Sequence, residues 1–233
     1  MCELLAVAGE RAFTLGHVLD WARRVEVMGF AGYGWGVAWT AADGIFSYKH
    51  PGPLAADQTS AQRLARTSVT RALIHLRRPS DPSTVSMADT QPFVDEARSF
   101  AFCHNGFFSL AESFRESLSG QLAGRADSEV GFRMVEKSLR AGKSPSESLV
   151  RMHQELTGTA NCGYLGEDGE LLVYHSNPRN PAWTFMRDGM QVLVTGLHWP
   201  DRSGLDQLFP DVDAATRVGE GVTVIASRIT TVS

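Results

Sequence analysis

The turns Ala41-Ala42-Asp43-Gly44, Glu167-Asp168-Gly169 and Asp188-Gly189 constrain the fold most, because each lies between two short runs of strand-forming residues. Asp-Gly favours the positive φ of a tight hairpin, so each turn joins two antiparallel strands. The pairs are 35–39 with 45–48, 159–165 with 170–175, and 183–187 with 191–197. Four more runs read as strands: 2–8, rich in Leu, Val and Ala and ended by Gly9; 68–76, ended by Arg77-Arg78-Pro79; the aromatic run 99–104; and 222–226. Elsewhere helical spacing takes over. Thr14 is placed to cap a helix with Leu15, Val18, Leu19, Ala22 and Val25 on one face before Gly29. A polar helix covers 54–66, and three more occupy 109–118, 127–139 and the stretch opening at Pro145, where proline suits a first turn. Residues 80–98 read as a loop, of a length that in compact domains usually serves function. Strands, then helices, then strands predict one α+β domain over 1–233 with helices packed on sheets.

Composition narrows the function. With 43% apolar and 21% charged residues in 233, the chain can bury a sizeable core and is not a disordered one. Its 26 acidic and 22 basic residues leave a net charge of −4, the wrong sign for a general nucleic-acid binder. Three cysteines, Cys2, Cys103 and Cys162, make no disulfide framework and point to a reducing compartment. Glu3 interrupts the N-terminus, and the apolar run 4–8 is shorter than a signal-peptide core. The longest uncharged stretch, between Glu26 and Asp43, carries four glycines and falls short of the ~20 apolar residues that span a bilayer. A cytoplasmic protein without membrane contact is expected. No phosphate-loop motif and no Cys/His metal spacing occurs, so neither cofactor nor metal is expected.

Four clusters carry candidate chemistry. Cys2 follows the initiator, and loss of Met1 would give it a free α-amine beside its thiol. Reference pKa values of about 8.5 and 7.7–8.0 make proton transfer between them cost only about 1 kcal/mol, against about 2.7 for transfer to an ordinary imidazole. Taken alone, residue 2 reads better as a small buried strand residue. The second cluster is Phe102-Cys103-His104-Asn105-Gly106. A side-chain amide followed by an unobstructed glycine N–H makes a pair of oxyanion donors, each worth about 2.7–4 kcal/mol of transition-state stabilisation, although Asn-Gly is more commonly a turn. Cys103 and His104, as strand neighbours, point to opposite faces and do not make a nucleophile and base. Third, Arg77 or Arg78 can hold a carboxylate bidentately, or simply leave a strand at the surface. Fourth, Asp127-Ser128-Glu129 can pair with an ammonium, or Asp127 can cap a helix.

The order of these clusters is informative. Met1-Cys2, Gly34-Trp35-Gly36, His75-Leu76-Arg77, Gln91-Pro92-Phe93, His104-Asn105-Gly106 and Asp127-Ser128-Glu129 together resemble the class II glutamine amidotransferases, which are N-terminal nucleophile hydrolases. The motifs cover roughly residues 1–139. The resemblance implies a four-layer αββα sandwich of two mainly antiparallel sheets. It implies that Cys2 is the nucleophile with its own freed amine as base, and that Asn105 and Gly106 form the oxyanion hole. Arg77 would take the α-carboxylate of glutamine and Asp127 its α-ammonium, with His104 also at the substrate. A γ-glutamyl thioester would form on Cys2 and be hydrolysed.

Two segments depart from the family pattern. Relatives usually show Ala-Thr within a few residues of the arginine, where this chain has Arg78-Pro79-Ser80, and Asn-Thr-His-Pro-Phe where it has Asp89-Thr90-Gln91-Pro92-Phe93. If the resemblance holds, nearly all 233 residues go into the hydrolase fold, and no acceptor domain is expected within this chain. Three activities follow: a glutaminase passing ammonia to a separate synthetase subunit, a stand-alone hydrolase of a γ-glutamyl amide or peptide, and a catalytically silent scaffold subunit. The first is preferred. Intact Cys2, Asn105, Gly106 and Asp127 argue against the last.

Overall fold

Side chains of the first strand, β1 (Glu3–Thr14), alternate between two cores. Leu5 and Val7 pack with Leu15, Val18, Leu19, Ala22 and Val25 of α1 (Leu15–Met28), whereas Leu4, Ala6 and Ala8 face a second sheet. Each fully buried leucine contributes about 1.5–3 kcal/mol, and a slip of one residue would exchange both faces, so the register is firmly set. This was traced in a computed structural model that describes residues 2–228.

The first sheet has seven strands in the order β11 (Ala215–Arg217), β9 (Ala182–Arg187), β10 (Met190–Thr195), β1, β4 (Ser68–Leu76), β2 (Trp35–Ala41) and β3 (Gly44–His50). The second has five: β12 (Gly221–Ala226), β8 (Leu171–His175), β7 (Gly158–Gly166), β6 (Phe100–Phe108) and β5 (Phe93–Val94). Every described pairing is antiparallel. Helices α4 (Asp127–Arg140) and α5 (Pro145–Leu156) cover the outer face of the second sheet through Val130, Phe132, Val135, Leu149, Met152 and Leu156. The result is the four-layer αββα sandwich. The α5 start carries a capping box between Ser144 and Glu147 with Pro145 in the first turn.

Several boundaries differ from expectation. The first strand does not stop at Gly9 but runs to Thr14 past an irregularity between Ala8 and Phe13. The helix expected over 54–66 shortens to α2 (Gln58–Leu64), and α3 (Ala111–Arg115) ends in a short 3₁₀ turn, Glu116–Leu118. The long loop contains a 3₁₀ turn, Pro82–Thr84, and the two residues of β5. Neither α6 (Ser203–Leu208) nor β11 had a sequence signal. Asn105-Gly106 is not a turn: both residues lie within β6, paired with Asn161 and Ala160. Asp127 is not a cap, since Ala126 occupies that position and Asp127 is the first helical residue.

Candidate active site

Strand register brings the first three clusters to one place. Glu3 pairs with Leu76, so the next step along each strand sets Cys2 opposite Arg77 at the end of the first sheet. Leu4 and Leu73 both face the gap between the sheets, and period-two alternation sends Cys2 and Arg77 to that same side. On β6, Ala101 and Cys103 face the gap, so alternation carries Asn105 there too. The gap opens at this end into a cleft of about 100 Å³, whose walls include Cys2, Arg77, Arg78, Thr84, His104 and Asp127.

Cys2 is half-buried. Its Sγ donates to the Arg78 carbonyl at 3.7 Å and accepts from the Arg78 N–H at 3.4 Å. Burial pushes the thiol above its ordinary pKa, while the Arg78 N–H and the Arg77 guanidinium pull it down. Cys103 and Cys162 are fully buried, and burial drives both thiols well above the ordinary value, so neither ionises readily.

Arg77 is buried, and its guanidinium is held from one side: Nη1 donates to the Thr84 carbonyl and Nη2 to Thr84 Oγ1 at 2.6 Å. Thr84 Oγ1 donates in turn to the Asp81 carbonyl at 2.7 Å. Burial lowers the Arg77 pKa, and the charges of Cys2, Asp89 and Asp127 oppose that. Asp127 stands across the cleft, with Oδ2 accepting from the Phe108 N–H at 2.8 Å and Oδ1 from the Ser128 N–H at 2.8 Å. A carboxylate has about four acceptor positions, so this one can still receive an ammonium.

Asn105 is fully buried and neither atom of its side-chain amide has a partner. An unpartnered buried polar group costs about 1–3 kcal/mol and calls for an explanation, and a ligand oxygen is one. Gly106 has φ +154°, and a Cβ there would collide with the Thr159 carbonyl, so no other residue fits without displacing β7. His104 lies on the opposite face of β6 from Cys103 and stacks on Phe108, ring centroids 3.8 Å apart and planes within 8°. Its Nδ1 meets Ser128 Oγ at 3.0 Å and its Nε2 the Thr159 carbonyl at 3.2 Å. Burial lowers its pKa, and a neutral ring donating from Nε2 satisfies both contacts. It borders the cleft with both nitrogens already engaged.

Among the described residues no His, Cys, Asp and Glu cluster suits a metal ion, and no helix is long and apolar enough to cross a membrane. What the chain assembles is the Cys2 thiol, the Arg77 and Arg78 side chains and the Asp127 carboxylate around one cleft, with a cradle for an oxygen beside them. Over residues 1–192 it matches the model of the family described as class-II glutamine amidotransferases. The chain belongs to that family.

Solved structures agree on the fold. This class II amidotransferase is similar to glutamine phosphoribosylpyrophosphate amidotransferase from B. subtilis, with TM-score 0.67 and 16% identity over 99% of this chain and 50% of that one. It is also similar to a glutamine aminotransferase class-II domain protein from Silicibacter pomeroyi, with TM-score 0.63 and 17% identity over 97% of this chain and 100% of that one. The chain thus spans about half the length of the B. subtilis enzyme. No curated protein matches it.

The second departure from the family pattern, residues 89–93, has a local explanation, whereas nothing in the structure explains Pro79-Ser80. Asp89 Oδ1 accepts the N–H groups of Arg125 and Ala126 at 2.6 and 2.7 Å, which ties the long loop to the turn that delivers Asp127. Gln91 Oε1 accepts the His104 N–H at 2.6 Å and steadies β6 just before Asn105. Sequence reasoning missed Thr84 and the role of Asp89, both in the long loop, as well as Asn180 and the role of Ser128. The first two sit in a loop rich in Ser, Asp and Pro, where only turn chemistry is legible.

Proposed function

We propose that this protein hydrolyses the γ-amide of glutamine and passes the ammonia to a separate synthetase subunit. The reading is carried by the placement of Arg77 and Asp127 around the Cys2 thiol, two opposite charges suited to the two ends of an α-amino acid. After removal of Met1, the Cys2 α-amine takes the thiol proton and the sulfur attacks the γ-carbonyl carbon. The tetrahedral oxyanion is received by the Asn105 side-chain N–H and the Gly106 N–H. The amine proton then goes to the leaving nitrogen, ammonia departs, and a γ-glutamyl thioester remains on Cys2. Water, deprotonated by the same amine, attacks the thioester and releases glutamate. Arg77 holds the α-carboxylate, Asp127 the α-ammonium, and His104 forms the wall behind Gly106.

Steady-state glutamate release, the product common to both, tests the reading, with glutamine and a γ-glutamyl dipeptide as alternative substrates and Cys2→Ala as the control. Preferential hydrolysis of glutamine, abolished in the variant, is expected. Preference for the dipeptide moves the protein to the stand-alone γ-glutamyl hydrolases. Hydrolysis of neither makes it the silent scaffold.

A further inference from the structure

Behind the nucleophile lies a buried polar cluster that the proposed chemistry does not use. Glu3 follows Cys2 directly, yet its side chain is fully buried. Oε2 accepts from Thr195 Oγ1 and, at 3.1 Å, from Asn180 Nδ2. That same Nδ2 lies 3.5 Å from the Cys2 carbonyl, so one amide bridges the carboxylate and the nucleophile's backbone. Asn180 is itself anchored: its carbonyl accepts from Asn161 Nδ2 at 2.9 Å, and its Oδ1 accepts the His198 N–H at 3.0 Å. Thr195 Oγ1 also accepts the Leu4 N–H at 3.0 Å, which fastens the start of β1 to the end of β10.

The arrangement is costly for a merely structural acid. Glu3 Oε1 has no hydrogen-bond partner, and a basic group, His198 Nε2, stands 3.6 Å away and is also unpartnered. Leu197 and His198 hold φ of +57° and +63°, backbone that non-glycine residues seldom adopt, to bring that ring in. An apolar residue would fill the site without leaving such groups exposed to each other.

We propose that Glu3 is a positioning residue for Cys2: through Asn180 it holds the backbone of the nucleophile, and its negative charge sets the pH at which Cys2 reacts. A negative charge beside a thiol disfavours the thiolate, and the same charge favours the ammonium form of a neighbouring amine, so ionised Glu3 raises both pKa values of an N-terminal Cys2. Burial raises the Glu3 pKa itself to about 7, which places the change within the working range. The other ionisable groups facing it are few. His198 comes from the turn after β10, where burial lowers its pKa, and Cys2 is on the same strand. Arg77 and Arg78 act from the end of β4, on Cys2 and on His198 respectively. Helix α1 presents only its end, Gly29, because the Glu26 carboxylate turns away to the N–H groups of Leu54 and Ala55.

The inference builds on Cys2 as the nucleophile, and its test separates the two. Iodoacetamide alkylation of Cys2, followed against pH by mass spectrometry of the full chain, needs no substrate. For two unit charges about 6 Å apart, an effective dielectric between about 20 and 80 corresponds to a shift of roughly 0.5–2 pH units. Glu3→Gln keeps an acceptor for Asn180 and removes the charge, and its alkylation midpoint should fall by that amount, with the acid limb of glutamine hydrolysis moving the same way. An unchanged midpoint in a folded Glu3→Gln protein overturns the role of Glu3 whether or not glutamine is hydrolysed. A shifted midpoint in a protein inert to glutamine upholds that role and refutes the glutaminase reading. Asn180→Ser leaves Glu3 in place and covers the case in which Glu3→Gln does not fold. It should lower kcat at least tenfold with KM within twofold, and an unaltered kcat overturns the bridge.

Discussion

Replacing Thr84 by valine should weaken glutamine binding without slowing the chemistry. Thr84 is 7% exposed and shares the branched shape of valine, so the substitution exchanges Oγ1 for a methyl group at nearly constant shape. It removes the 2.6 Å bond from Arg77 Nη2 and the 2.7 Å bond to the Asp81 carbonyl, and leaves the Thr84 carbonyl to hold Nη1 alone. A hydrogen bond to a charged group contributes about 1.5–3 kcal/mol, and with half of the hold retained the lower figure applies. About 1.4 kcal/mol corresponds to a factor of ten. The α-carboxylate is gripped equally in ground and transition states, so the loss belongs to uniform binding. Steady-state ammonia release should therefore show KM for glutamine raised roughly tenfold, kcat within about twofold, and recovery in Thr84→Ser, which restores the hydroxyl. A lower kcat at unchanged KM would refute the reasoning, because it would mean that Thr84 acts at the reacting bond and not through Arg77.

Other substitutions bear on different parts of the account. Cys2→Ala should abolish γ-amide hydrolysis, whereas Cys103→Ser, on the far face of β6 from His104, should retain most of it; loss in Cys103→Ser with a native circular-dichroism spectrum would move the nucleophile. Gly106→Ala forces a Cβ onto the Thr159 carbonyl at φ +154°, and strain of about 1–3 kcal/mol should lower Tm by at least ~2–4 °C along with activity. An unaltered Tm would show that β6 and β7 can separate there at no cost. Glu3, with a folded pKa of about 7 against an ordinary 4.5, binds a proton more tightly in the folded state. Its stabilisation is complete below about pH 4.5 and is lost as pH rises through 7, a change of about 3 kcal/mol. His75 works the other way, since burial takes it down to about 3 and stability falls as pH drops below about 6.5. Urea unfolding from pH 4.5 to 8 should show the wild type losing stability relative to Glu3→Gln as pH rises. Parallel curves would rule out a buried titration at Glu3.

Local physics made most of the fold legible before any coordinates. The strand at 68–76 and the hairpins around Asp43-Gly44 and Asp188-Gly189 stand where expected, because alternation and positive-φ turn residues act within a few positions; Asp188 and Gly189 both hold positive φ. At Asn105-Gly106 the converse holds: the strand expected to end at His104 runs on to Phe108. The dipeptide prefers a turn in isolation, and pairing with Asn161 and Ala160 overrides that preference. Cys2, Arg77 and Asp127 were visible as residue types in a characteristic order. Their convergence depends on the register of β1 against β4 and on Asp89 gripping the turn before α4, contacts between residues tens of positions apart. Thr84 and Asn180 belong to the same class: each acts on a distant partner and neither forms a motif.

The central claim is that Cys2, freed of Met1, is the nucleophile toward a glutamine γ-carbonyl. Intact-mass and peptide mass spectrometry after treatment with a glutamine-analogue diazoketone tests it most directly. The account predicts a chain lacking Met1, carrying one adduct at Cys2, with excess glutamine protecting. An adduct at Cys103 or Cys162, or labelling that glutamine does not slow, would contradict it.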